Sequence, residues 1–230
     1  MLILSAKEED APALEYTLEL LKESGEEIYL CWNGWDKDKR DDFWKEKILP
    51  LVSSEILGDY GDWQNPSPPP PTFIDLIVED VNDLNLERLV PSWNRGLRKA
   101  RGEQEQAAII PLKWPGESLN LPPRQLAGAD VFLCKDYYLF TPQALRELGV
   151  LDQNFFEKLY LLDYLLRARI KGLNIKYTKE IPLQELTLLE QFDTLKLGTK
   201  WGVPEDIDPS DFWKWAEKQE YKWHPNMYIP

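Results

Sequence analysis

Three observations predict an α/β fold with a mixed, mostly parallel sheet flanked by helices and followed by an irregular helical extension. Over roughly the first half of the 230 residues, short apolar runs of strand length alternate with longer stretches of helical periodicity. Turn formers close these segments, as at Gly25 and Asn33-Gly34. The composition, 43% hydrophobic and 29% charged, describes a globular chain long enough to bury a substantial core. Strand–helix alternation of this kind calls for parallel strands joined by crossover helices on both faces of a sheet.

The elements follow in order. Leu2–Leu4 is an apolar run ending at Ser5-Ala6 and reads as the first strand. Residues 11–23 place Leu14, Tyr16, Leu18, Leu20 and Leu21 among Glu and Lys, a helix stopped by Gly25. Glu27–Trp32 has strand character and breaks at Asn33-Gly34. A helix over 41–57 carries Phe43, Trp44, Ile48, Leu51, Val52 and Ile56 on one side. The loop Gly58–Thr72 has an extended proline-rich core, either a stiff surface connection or a docking site for a proline-recognising partner. Phe73–Val78 is the third strand, apolar except for Asp75. A helix over 86–101 has Pro91 near its start and a basic last turn that suits the negative helix end. Ala107–Leu112 is the fourth strand, and 113–128 an irregular loop.

Val131–Cys134 and Tyr137–Phe140 read as strands, and Thr141-Pro142 caps a short helix over 142–148. An amphipathic helix over 155–171 holds Asp163 inside its apolar pattern, stops at Gly172 and leads to a strand over 173–178. Beyond Ile181 the pattern loosens, with a helix near 210–219 and an aromatic tail that includes Trp201, Trp213, Trp215 and Trp223. The expected organisation is one domain over 1–180, with 181–230 an aromatic-rich extension packed on it. Flat aromatic faces suit sugar rings, but tryptophans packed against a sheet are the commoner use.

With 40 acidic and 27 basic residues the net charge is −13, the wrong sign for a general binder of duplex nucleic acid. A local basic patch at Arg95, Arg98, Lys99 and Arg101 can still meet a diphosphate. No apolar run approaches the roughly 20 residues that span a bilayer. Met1–Asp10 turns acidic after a few apolar residues, as a strand and helix start do and a secretion signal does not. Cys31 and Cys134, far apart in apolar contexts, read as packed reduced thiols, which fits a cytoplasmic location. In parallel sheets ligands bind beyond the carboxyl ends of strands where the strand order reverses. Ser5-Ala6, Asn33-Gly34 and Glu79-Asp80 are therefore the expected pocket rim. Glu79-Asp80-Val81-Asn82-Asp83 would serve there as a metal-holding set or as a solvated turn.

Five segments, in order, bring a known family into view. Ile3–Glu9 looks like an opening strand and loop that wraps a nucleotide base. Ile28–Asp36 is similar to a second-strand signature V-x-V-x-D-N-G-S-x-D. Asn85-Leu86 with Asn94-Arg95-Gly96 and Ala100-Arg101-Gly102-Glu103 resembles N-L-G-x5-N-x-G-x3-A-x-G-E. Tyr138–Gly149 looks like an acceptor-side loop and short helix. Asp152, Phe155, Phe156, Asp163, Arg167 and Gly172 match a D-x-x-F-F turn leading into a helix with E-D-x-D-L-x2-R-x4-G. Together they resemble the family 2 glycosyltransferases over most of residues 1–180. The resemblance implies the GT-A fold, a Rossmann-like sheet, and inverting transfer of a sugar from a nucleotide-sugar donor to an acceptor that the sequence does not identify. It implies nucleotide-sugar contacts at Ser5, Ala6, Glu8, Asn33, Asp36, Asp80, Asn94, Arg95 and Arg98.

Two departures bear on the chemistry. The family's Asp-x-Asp, which holds Mg²⁺ or Mn²⁺ against the diphosphate, is replaced by Ala107–Pro115 with no acid. The catalytic Glu-Asp pair is replaced by Tyr160-Leu161, and the sole histidine, His224, is near the C-terminus. Transfer would then be metal-independent or metal-poor, with Lys113 steadying the leaving diphosphate and Asp163, or Glu157, as the base. A structural role competes for Asp163, which stands four residues before Arg167 as an ordinary helix ion pair. The alternatives are a catalytically inactive GT-A-type binding or scaffolding protein, and a phosphate-handling α/β protein that shares only the architecture.

Overall fold

A computed structural model describes residues 1–22, 24–48, 76–81 (backbone), 90–122, 128–153, 155, 159–177 and 197–202. The chain is α/β and Rossmann-like, and it divides into two compact units, Met1–Gly96 with Ala107–Pro122, and Leu97–Gln106 with Pro123–Pro230.

The first unit is built on strands β1 (Leu2–Lys7), β2 (Ile28–Asn33), β3 (Leu76–Val81) and β4 (Ala107–Ile109). They lie in the order β3-β2-β1-β4 and every pair is parallel. Leu2 to Ala6 and the whole of β2 are buried, as strands covered on both faces must be. Helix α1 (Ala11–Leu21) has Pro12 in its first turn and buries Leu14, Leu18 and Leu21. Helix α2 (Lys37–Phe43) starts four residues earlier than its apolar pattern suggests. The Asp36 carboxylate caps it, accepting the Asp38 and Lys39 amides at 3.0 and 3.3 Å. A π-helical turn, Trp44–Ile48, follows, and the rest of the expected helix to 57 lies outside the described residues.

Helix α3 (Val90–Glu103) is the crossover between β3 and β4. It ends through Gln104 at φ 59°, with the Glu105 amide on the Ala100 carbonyl at 2.9 Å, a Schellman-type stop made without glycine. Strand β3 runs three residues beyond the expected end at Val78, to Val81, and Phe73–Asp75 lie outside the described residues. Its pairing from Ile28↔Leu76 to Asn33↔Val81 matches the length of β2, and cross-strand partnership is something local composition does not report. Strand β4 stops at Ile109 rather than Leu112, where Pro111 removes an amide donor.

The second unit holds β5 (Val131–Leu133), β6 (Tyr138–Phe140) and β7 (Ile175–Tyr177), with β5 antiparallel to β6 and parallel to β7. Helix α4 (Pro142–Leu148) is capped by Thr141, whose Oγ1 accepts the Ala144 amide at 3.2 Å, with Pro142 at the first helical position. Helix α5 (Leu159–Ile170) is buried all round from Leu159 to Ala168 instead of along one stripe. The C-terminal stretch is described only over 197–202, mostly one helical turn, so the helix expected near 210–219 lies outside the described residues. Among the described residues no helix is long and apolar enough to cross a membrane.

Burial pushes the Tyr138 phenol up to about 12, and Cys134 beside it adds to the shift. The folded state thus prefers the neutral phenol. Its contribution is intact below the ordinary value of 10.0 and is lost as pH climbs from there towards 12. The unfolding free energy from urea denaturation should fall over that window by up to about 1.4 kcal/mol per pH unit from this group. Tyr138→Phe should remove that part of the slope, and an unchanged slope would refute the assignment.

Candidate functional site

The chain runs outwards through β1, β2 and β3, then returns past β1 to β4, so the strand order reverses between β1 and β4. A ligand crevice is expected beyond the carboxyl ends of those strands. Ser5 and Ala6 lie in the last half of β1, which runs on to Lys7, Asn33 ends β2, and Asp80 pairs with Trp32 near the end of β3. These expected contacts therefore sit along one edge of one sheet.

Much of that edge is already engaged by the chain itself. The Trp35 indole donates to the Ala6 carbonyl at 2.8 Å, and its ring meets Trp32 edge-on, centroids 4.8 Å apart, and Phe43 at 5.2 Å. Glu8 pairs with Lys39 and accepts the Asp36 amide at 3.4 Å. The hydrogen bond from Lys39 holds the Glu8 carboxyl below its ordinary range, and Glu8 raises Lys39 in return. Both are solvent-exposed, so the pair is readily screened and exchanged. Asp36 is committed to capping α2. Another hydrogen-bond donor can replace Lys39 at Glu8 without unfolding anything.

Helix α3 separates its expected contacts. Asn94 is buried, 1% exposed, while Arg95 and Arg98 face solvent. The helix approaches β1 closely at Gly96, where a β-carbon would lie 2.8–2.9 Å from three side-chain atoms of Ile3. Ser92 is one turn before Gly96 and Ser5 two residues after Ile3, steps of about 6 Å along helix and strand alike. As a crossover between parallel strands, α3 runs back against β1, so both steps lead towards the carboxyl edge. Ser5 and Ser92 are 3% and 0% exposed, and neither hydroxyl has a hydrogen-bond partner among the described residues. Unpaired buried hydroxyls of this kind cost about 1–3 kcal/mol each. Helical spacing puts Ser92 on the same face as Gly96, but nothing local signals that its hydroxyl is left over.

Beyond β4 the loop turns onto α1. Lys113 is buried, its amide donating to Thr17 Oγ1 at 2.8 Å, and the Tyr16 hydroxyl reaches the Glu117 carbonyl at 3.0 Å. Trp114-Pro115-Gly116-Glu117 is a tight turn with Gly116 at φ 97° and Glu117 N–H on the Trp114 carbonyl at 3.0 Å. The segment Ile110–Pro115 offers no carboxylate, and Lys113 adds a positive charge. These residues do not fit a hard divalent cation, which requires anionic oxygen ligands.

Asp163 belongs to the second unit and is fully buried. One carboxylate oxygen accepts Arg167 Nε at 3.0 Å. The other accepts Trp201 Nε1 at 2.9 Å and Lys200 Nζ at 2.6 Å. Lys200 also binds Asp152 at 2.9 Å. Arg167 completes its guanidinium on the Leu148 and Val150 carbonyls at 2.7 and 3.0 Å, and lies 4.7 Å over the Tyr164 ring. Among the described residues, two acids and two bases thus make a buried neutral set that ties α5 to the end of α4 and to the turn at 197–202. The i,i+4 pair is legible in the sequence. Lys200 and Trp201 are not, because they reach Asp163 from far along the chain. Glu157, the other expected base, lies outside the described residues.

Compared with known proteins, the chain matches no family model and no curated sequence.

Proposed function

We propose that this chain is a GT-A-type nucleotide-sugar-binding protein in which Asp163 serves the fold and not sugar transfer. The donor would lie at the carboxyl edge of the parallel sheet, its base and ribose towards Ser5, Glu8, Asn33 and Asp36. Support for a bound polar group there comes from the strand-order reversal and from the two unpaired hydroxyls of Ser5 and Ser92. The observation that carries the choice of a binding over a transferring protein is the saturation of Asp163. A general base needs a lone pair within reach of the acceptor hydroxyl, and this carboxylate is buried under three donors.

Calorimetry with UDP-, GDP- and dTDP-sugars, with and without Mn²⁺, tests the reading. At least one nucleotide sugar should bind with an affinity that Mn²⁺ leaves unchanged, and none should turn over. Failure of all of them to bind removes the donor site. Turnover that vanishes in Asp163→Asn, while that variant stays folded, would restore the transferase reading.

A further inference from the structure

We propose that a cleft in the second unit binds a small carboxylate that also carries a hydrogen-bond donor, either an ammonium or a hydroxyl group. The cleft has a volume of about 500 Å³ and lies at the starting ends of β5 and β7, beside the first turn of α4. Five polar residues line it: Asp130, Thr141, Gln143, Arg146 and Asn174. It does not depend on the nucleotide-sugar reading.

Among the described residues the Asp130 carboxylate is held by one hydrogen bond and Arg146 by none, so both can still take a ligand. Arg146 is exposed on α4 and has no hydrogen bond or ion pair among the described residues. Asp130 is fixed in place: its Oδ2 accepts the Asn174 amide at 2.8 Å, and its own amide donates to the Asn174 carbonyl at 2.7 Å. That lattice pins the carboxylate at the mouth of the parallel pair Val131↔Ile175. Asp130 and Arg146 do not pair with each other within the same cleft, so a ligand that bridges them meets both charges. Thr141 uses its oxygen to accept the Ala144 amide at 3.2 Å, which leaves its hydroxyl hydrogen to donate. The side-chain amide of Asn174 has no partner among the described residues.

A guanidinium presents a planar fork that a carboxylate can meet with two parallel hydrogen bonds. Asp130 sets the other half of the recognition. It repels a second negative charge, which disfavours a phosphate dianion, and it accepts from an ammonium or hydroxyl. Placement of Arg146 in the last turn of α4 also suits the helix dipole, but that explains its sign and not the cleft around it.

Calorimetric titration of the full chain with L-serine and D-glucuronate distinguishes the two donor types, with acetate and glucose as controls. One of the first two should bind about tenfold or more tightly than acetate. Arg146→Gln should weaken it about tenfold without shifting the melting temperature, since the residue is exposed. Asp130→Asn keeps an acceptor oxygen for the Asn174 amide and should reduce the affinity to that of acetate. The proposal is overturned if neither ligand binds at about 50 mM, if acetate binds equally well, or if either substitution leaves affinity unchanged.

Discussion

Asp163→Asn should lower the unfolding free energy by about 3–5 kcal/mol, the usual cost of removing one member of a buried ion pair. The carboxylate has no exposure and carries Arg167, Lys200 and Trp201. Without it Lys200 keeps Asp152 at 2.9 Å, while Arg167 keeps the carbonyls of Leu148 and Val150 and the Tyr164 ring but loses its bond to this carboxylate. Among the described residues the set is then left with a net positive charge out of water. Urea denaturation measures the loss. The double variant Asp163→Asn with Lys200→Met restores neutrality and should fall short of the summed single losses by about 1 kcal/mol or more. Strict additivity would mean that the groups do not act as a unit. A destabilisation below about 1 kcal/mol would mean that the site is wet, as surface ion pairs are. A catalytic role would instead show as lost turnover with stability little changed, so the two accounts of Asp163 differ in kind of readout.

Gly96→Ala should destabilise the chain by about 1–3 kcal/mol, the cost of overpacking a tight contact. Helix propensity alone predicts the reverse, a gain of about 1 kcal/mol. The sign is therefore diagnostic. A new β-carbon would lie 2.8–2.9 Å from Cγ1, Cδ1 and Cγ2 of Ile3, which is itself fully buried and β-branched. Such a side chain has no free rotamer into which to swing. Moving α3 outwards instead would also shift the buried Ser92, one turn away on the same helix. Ile3→Val in the Gly96→Ala background should recover part of the loss, and thermal or urea unfolding of the four proteins reads it. A stabilised Gly96→Ala would place α3 farther from β1 than described.

The parallel strands were legible because their signal is local: Leu2–Leu4 and Ile28–Trp32 are apolar in succession, as strands covered on both faces are. The short helix at Pro142–Leu148 was legible for the same reason, since Thr141 and Pro142 form its start. Ends of elements were less so. The start of α2 depends on the Asp36 cap, and the span of β3 on pairing with β2. The candidate site splits along the same line. Ser5, Ala6, Asn33 and Asp80 fall in the carboxyl halves of their strands by topology, which alternation of elements conveys. That Asn94 is buried while its neighbour Arg95 faces solvent depends on the angular setting of α3 against β1. That Asp163 is enclosed depends on Lys200 and Trp201, and no spacing rule links residues so distant in the chain.

Each compact unit contains one cysteine: Cys31 within β2 of the first, 0% exposed, and Cys134 just after β5 of the second, 8% exposed. An alkylating reagent can reach either sulfur only during transient opening of its own neighbourhood. Mass spectrometry of the two peptides would therefore time those openings separately within a single sample. Any added compound that slows labelling at only one of them would reveal which half of the chain it holds shut.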